Sequence, residues 1–292
     1  MWGTLTRYSA NGDEWYLFTY STNDNITLRR SKALTDNWDN QETRVVFTPD
    51  PRGQDAGQPW STDLWAPEIH NISGKWYIIF SATPDFDNPP PLQDAACPIN
   101  CPAINHRMFV LESDGPDPWT AGFTLKSELN TYDQFAIDGT YFIHNQQIYH
   151  IYSCWQEQTS AWPANLCITH MSDPWTVDTN LTDRRMISVP NEPWERVPYG
   201  RPDTRLATNE GPQQLINPTT GQNFVVYSAA RDIYRTVRTQ KFSWNDDGTP
   251  NFPLAENGPF PVPSGQNGQA AVNERSLTGR LGGLWHGEEL VN

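Results

Sequence analysis

Asn209-Glu210-Gly211-Pro212 opens the stretch on which the fold reading turns. A carboxylate starts a strand-like run, and Gly and Pro then interrupt regular pairing. Gln213 to Asn217 follow, then a turn at Pro218 to Gln222, then Phe224-Val225-Val226-Tyr227-Ser228. The stretch reads as a hairpin that begins with an acid and ends in an aromatic-Ser pair. The same design occurs twice upstream. Trp65-Ala66-Pro67-Glu68 leads through Ser73-Gly74-Lys75 to Trp76-Tyr77-Ile78-Ile79-Phe80-Ser81. Ile137-Asp138-Gly139 leads through Asn145-Gln146 to Ile148-Tyr149-His150-Ile151-Tyr152-Ser153. Three acids, Glu68, Asp138 and Glu210, thus open three similar hairpins.

A fourth aromatic-Ser strand, Trp15 to Ser21, follows the turn Asn11-Gly12-Asp13 near the start of the chain. Each unit reads as strand, turn, aromatic-Ser strand and a further strand; the first three continue into a Trp-bearing turn at Trp38, Trp119 and Trp175. The Ser ends at 21, 81, 153 and 228 recur at roughly 60- to 75-residue intervals. No stretch carries a long 3.6-residue pattern. The chain is therefore all-β, and short strands in repeated units indicate a β-propeller over an irregular sandwich. The loop Thr83 to Asn105 is long enough to lie over a functional face.

Composition narrows the partners. The 292 residues suit one large all-β domain or two small ones and can bury a sizeable core. A net charge of −14 argues against nucleic acid or an anionic membrane surface. No apolar run is long enough to span a membrane, and the opening Met1-Trp2-Gly3-Thr4 carries no signal-peptide pattern. The 13 Trp, 11 Tyr and 12 Phe residues favour a binder of polyhydroxylated ligands, with core filling as the alternative.

Cys154 and Cys167 flank a polar loop and are placed for a bridge across a hairpin, whereas Cys97 and Cys101 are placed to close a small ring. Buried thiols are the alternative for both pairs. No second Cys/His pair stands at zinc-like spacing, so neither a metal nor a cofactor is expected. Sequons at Asn25, Asn71 and Asn180 fit a secreted protein, although such triplets also arise by chance.

In a propeller the innermost strands surround a central channel, so acids at their starts converge on the axis. Buried like charges raise one another's pKa, the condition a general acid needs. Glu68, beside Pro67, reads better as a strand cap or an arginine partner. Asp138 and Glu210 read as catalytic.

These motifs resemble glycoside hydrolase family 43. Trp65 to Ile69 is similar to its second-blade motif, Ile137 to Thr140 to the strand carrying the aspartate that tunes and orients the acid, and Asn209 to Pro212 to the strand of the general acid. Arg235 to Gln240, Trp244 and Asp247 to Pro250 resemble the closing blade. The resemblance runs from about Ala10 to about Gln266 and implies a five-bladed propeller over residues 1–266, with a tail over 267–292. Four blade-like units are clear in the sequence, and the resemblance implies that about one blade is absent between Ser228 and Arg235.

The resemblance implies inverting hydrolysis with Glu210 as general acid and Asp138 as its modulator. The family's base, an aspartate on the first innermost strand, is not found here, since no acidic residue precedes Asp13; it is missing or lies upstream of Met1. Substrate contacts fall to Trp65, Glu68, Trp155, Arg235 and Arg238. Either tryptophan is equally suited to the core, and alternating arginines are also common on exposed strand faces. The implied substrate is arabinan or arabinoxylan, carrying α-L-arabinofuranosyl or β-xylosyl linkages, for an extracellular monomer. A sugar-binding relative without catalysis and an interaction scaffold are the competing readings. Axial carboxylates argue against the scaffold.

Overall fold

The computed structural model describes residues 4–85, 105–156, 163–180, 184–199, 201–231 and 234–254. Cys97, Cys101, most of the loop between Thr83 and Asn105, and the tail 267–292 lie outside them. Four antiparallel sheets follow one another along the chain. Blade I is β1 (Leu5–Ala10), β2 (Asp13–Ser21), β3 (Ile26–Ser31) and β4 (Glu42–Phe47). Blade II is β5 (Thr62–Ile72), β6 (Lys75–Thr83), β7 (Arg107–Ser113) and β8 (Phe123–Glu128). Blade III is β9 (Ala136–His144), β10 (Gln147–Trp155), β11 (Ala164–Asp173) and β12 (Thr176–Val177), with β13 (Arg185–Ser188) also paired to β11. A two-stranded sheet, β14 (Arg196–Tyr199) and β15 (Arg201–Ala207), precedes blade IV. Blade IV is β16 (Asn209–Ile216), β17 (Asn223–Arg231), β18 (Tyr234–Trp244) and β19 (Pro250–Asn251). The chain is all-β, with four blades in a propeller arrangement.

One expectation is corrected here. Arg235 to Gln240, together with Trp244, does not start a separate closing blade. It lies in β18, which pairs with β17 and forms the third strand of blade IV. The turn Asp247 to Pro250 leads into the short β19 of the same sheet.

Local chemistry explains the hairpins. Ala10 pairs with Asp13, Ile72 with Lys75 and His144 with Gln147, so each turn has two central residues. Those residues all have positive φ: Asn11 and Gly12, Ser73 and Gly74, Asn145 and Gln146. This is the primed-turn geometry whose twist matches that of the strands. Blade IV has a longer turn in which Asn217 Oδ1 accepts the amides of Thr219 and Thr220. Asp117-Pro118-Trp119 and Asp173-Pro174-Trp175 are Asx turns, the aspartate accepting the Trp amide at 2.9 Å in both.

Strand alternation builds the core between blades. On β6, Trp76, Ile78 and Phe80 pack with Leu17 and Leu28 of blade I, while Tyr77 and Ile79 pack with Tyr152 and Met171 of blade III. Both faces of β6 are buried, which is why its sequence is continuously apolar. Blade III meets blade IV through Phe142, Ile151 and Leu166 against Val225, Tyr227 and Phe242. Each fully buried side chain of this size contributes about 1.5–3 kcal/mol. Cys154 and Cys167, on β10 and β11, are bridged with Cα atoms 5.9 Å apart, as their flanking of one loop predicts.

Candidate active site

The register of the innermost strands carries a feature that sequence reading does not reveal. In blade II, Trp65 pairs with Ser81 and Glu68 with Ile79, so Ala66 and Pro67 together oppose Phe80. In blade III, Ile137 pairs with Ser153 and Thr140 with Ile151, so Asp138 and Gly139 oppose Tyr152. In blade IV, Glu210 pairs with Ser228 and Gln213 with Val226, so Gly211 and Pro212 oppose Tyr227. The innermost strands of blades II, III and IV thus carry the same bulge, and its first residue is left-handed: φ is 43° at Ala66, 53° at Asp138 and 63° at Gly211. A bulge re-aims side chains at the rim of a sheet. A buried aspartate held at positive φ is costly and marks a site that the surrounding structure over-determines.

The three acids are therefore not equivalent. Glu210 stands before its bulge, Asp138 within its own and Glu68 after its own. Glu68 has Gln213 as its counterpart in blade IV, and the two are hydrogen-bonded, Gln213 Nε2 donating to Glu68 Oε1. His70 Nε2 lies 3.1 Å from the other oxygen of Glu68. Both oxygens of this buried carboxylate have side-chain partners, and Glu68 lies inside β5, not at a strand end, with no arginine among those partners.

Asp138 and Glu210 are buried on neighbouring blades. Ser153 joins their strands. Its Oγ donates to Asp138 Oδ2 at 3.4 Å and accepts the Gly211 amide at 3.2 Å. A Cβ at Gly139 would lie 2.5 Å from Met108 Cε and 2.7 Å from His150 Nε2, so a larger residue there requires these side chains to move. On the other side of Glu210, Asn209 Nδ2 donates to Ser188 Oγ at 2.9 Å and to Glu195 Oε1 at 3.2 Å. Burial raises the pKa of Glu195, opposed by its hydrogen bonds from backbone amides and Asn209.

Aromatic residues wall the region in front of these strands. Trp65 stacks on His106 with ring centroids 3.8 Å apart and packs on Phe135, Ile137 and Trp155. Trp155 stacks on Phe135 at 4.0 Å and is buried, whereas Trp65 stays partly exposed. Of the two tryptophans, Trp65 is the one with surface to offer a ligand.

Arg238 is half-buried on β18 opposite Tyr227, and the residue level with Glu210 and Ser228 is Val237. Arg235 pairs with Ala230 on the same strand, outside the level of the acids. Asp13 starts β2 directly after the first turn, its carboxylate exposed and paired with Lys32 at 2.8 Å. Sequence reasoning did not assign a role to Ser153, Gln213, Glu195 or His106. Ser153 was visible as an aromatic-Ser end, but its partners depend on two bulges.

The model of glycosyl hydrolases family 43 matches residues 6–212. The chain belongs to this family. An extracellular exo-alpha-(1->5)-L-arabinofuranosidase of Streptomyces chartreusis is 31% identical over 225 residues, covering 76% of this chain and 57% of that protein. The chain thus spans little more than half the length of this curated relative. Among solved structures, an alpha-L-arabinofuranosidase from Lactobacillus brevis superposes with a TM-score of 0.53 at 24% identity, covering 90% of this chain and 95% of the other. An endo-arabinase from Bacteroides thetaiotaomicron VPI-5482 gives 0.61 at 13% identity, covering 88% and 81%. At these identities the two structures establish the family 43 propeller as the fold and nothing finer.

Proposed function

We propose that residues 1–266 form the propeller of a glycoside hydrolase that cleaves α-L-arabinofuranosyl linkages of arabinan or arabinoxylan by inversion. The observation that carries the reading is the buried pair of Asp138 and Glu210 on adjacent blades, their strands tied through Ser153. The names of the relatives support the sugar, and one of them also supports an extracellular setting. β-Xylosyl linkages are the second substrate class in this proposal, and the working unit is a monomer.

In the proposed reaction Glu210 protonates the departing glycosidic oxygen as the C–O bond breaks. A water molecule attacks the opposite face of the sugar after losing a proton to a base. The Asp138 carboxylate holds Glu210 protonated by like-charge repulsion and keeps it in place. Trp65 offers a ring face to the sugar, backed by Phe135 and Trp155. Arg235 and Arg238 are assigned to hydroxyls of longer substrates, and Glu68 to holding the channel together.

The test compares two substrates in Glu210→Gln. Arabino-oligosaccharides need their leaving oxygen protonated, so their turnover should fall by about 10²–10⁴-fold. An aryl arabinofuranoside with a strongly acidic phenol needs little protonation and should lose far less. Equal losses on both substrates, or none on either, would remove Glu210 from the role of acid.

A further inference from the structure

We propose that Ser153 is a positioning residue for this acid pair, its hydroxyl fastening the Asp138 carboxylate of blade III to the backbone that follows Glu210 in blade IV. The inference rests on the function proposed above and extends it to a residue that does not itself touch the reacting atoms.

The direction of each bond is fixed by chemistry. An ionised carboxylate has no hydrogen, so Ser153 donates to Asp138 Oδ2; the Gly211 amide is a donor, so Ser153 Oγ accepts it. One fully buried hydroxyl therefore uses its single proton on one bulge and a lone pair on the next. Both partners are the left-handed first residues of their bulges. For Asp138 that region is costly and needs support, whereas Gly211 adopts it freely as a glycine; the same hydroxyl contacts both.

The counterpart in blade II behaves differently. Ser81 occupies the same position in its hairpin, yet its Oγ donates to the carbonyl of Trp65 within its own blade. The repeated serine is thus a fold feature in blade II. In blade III it crosses to the neighbouring blade at the residue next to Glu210.

Removing the hydroxyl should leave substrate contacts in place and loosen the geometry of proton delivery. The variants Ser153→Ala, Ser153→Cys and Ser153→Thr separate the effects. Cys keeps nearly the volume with a weak donor, and Thr keeps the hydroxyl. On arabino-oligosaccharides, kcat should fall about 10- to 100-fold in Ala and Cys with KM within about threefold, and Thr should recover most of it. A second readout does not need turnover. In protein labelled with ¹³C at the Asp and Glu carboxyls, with the Asp138 signal assigned through Asp138→Asn, the titration of Asp138 should move to higher pH in Ala and Cys. The charged form has then lost a hydrogen bond. Carboxyl signals from residues remote from Asp138 and Glu210 serve as the reference in the same spectra.

A folded Ala or Cys variant with unchanged kcat and an unmoved Asp138 signal would overturn the proposal. So would a Thr variant as impaired as Ala, since that makes the position one of packing. If Glu210→Gln shows no acid-type selectivity while the Asp138 signal still moves in the Ser153 variants, the functional reading fails and the Ser153 link stands.

Discussion

The Gln213 side chain of blade IV donates to the Glu68 carboxylate of blade II, and the two residues hold the same position after the bulges of their innermost strands. Blade III follows blade II and precedes blade IV in the chain, so the contact joins two blades that are not consecutive. In blade I, Thr4 is the residue whose carbonyl accepts the Thr19 amide, and its Oγ1 accepts the Ile69 amide at 2.8 Å. The level after the bulges is therefore closed by side chains, and Asp138 and Glu210, proposed above for the chemistry, stand at and just before the bulges.

Cutting that link between blades II and IV should cost stability. Gln213→Ala leaves a buried carboxylate oxygen without its donor, a loss of about 1–3 kcal/mol. Chemical denaturation should show a lower midpoint with an unchanged slope. Glu68→Gln, which keeps an acceptor oxygen, should cost less than Glu68→Ala. If Gln213→Ala matches wild type, the contact is not structural.

Gly139 predicts a clash with a named remedy. Gly139→Ala drives a methyl into Met108 Cε and His150 Nε2, and overpacking of this kind costs about 1–3 kcal/mol. Shortening the flexible neighbour, in Gly139→Ala with Met108→Ala, should return part of the loss because the inner contact is removed. Non-additivity in the double-mutant cycle is the measurement. Additive losses would place the cost in the backbone.

His150 gives the fold a pH dependence. The ring is fully buried against Tyr152 and opposite Tyr141 and Thr169, and neither nitrogen has a hydrogen-bond partner among the described residues. Burial pushes its pKa from 6.5 down to about 3. The unfolded chain takes up a proton as pH falls below about 6.5, and the folded protein does not until about 3. Stability from this residue is thus complete above pH 6.5 and lost progressively toward pH 3, at roughly 1.4 kcal/mol per pKa unit. His150→Leu should flatten the stability–pH curve between pH 4 and 6.5 relative to wild type. Parallel curves would mean that the ring is solvated.

Much of this architecture is legible in the sequence. The aromatic-Ser strands are β2, β6, β10 and β17, and their turns announce themselves through Asn-Gly, Ser-Gly and Asn-Gln pairs. Three things are not legible, each for a physical reason. The bulges depend on register, which is set by both strands at once. Glu68, Asp138 and Glu210 therefore look alike in sequence and differ in space. The hairpin β14–β15 has Pro198 and Pro202 and little apolar alternation, so it carries no strand signal. The Arg235 strand reads as a closing blade because its own residues do not reveal that it pairs with β17.

The disulfide makes a prediction about reduction. Cys154 and Cys167 close a loop with a sequence separation of 13. Constraining a loop of that size is worth about 3 kcal/mol in the chain-entropy model. Both sulfur-bearing residues are fully buried, so a reductant reaches them only after opening. Native protein should react slowly with dithiothreitol, at a rate that rises with denaturant. The double variant Cys154→Ala with Cys167→Ala should fold with a lower melting temperature. Fast reduction without denaturant would mean that blade III opens locally.

The last prediction concerns the base. Inverting hydrolysis needs a group to take a proton from the attacking water, and placed proton transfer is worth about 10²–10⁴-fold. The 292 residues hold no acidic residue ahead of Asp13, whose carboxylate is exposed and paired with Lys32. The Glu68 carboxylate is occupied by Gln213 and His70. The chain as it stands should therefore turn over aryl arabinofuranosides slowly. Azide, which needs no deprotonation, should raise the rate by attacking C1 as the phenolate leaves. The product is a glycosyl azide of inverted configuration, recognisable by mass and by NMR. Adding an Asp-Pro segment ahead of Met1 should raise hydrolysis and reduce the benefit of azide. Should the unextended chain already match the extended one, with no response to azide, another carboxylate is the base. Asp13→Asn and Glu68→Gln would then identify it by which of them abolishes turnover.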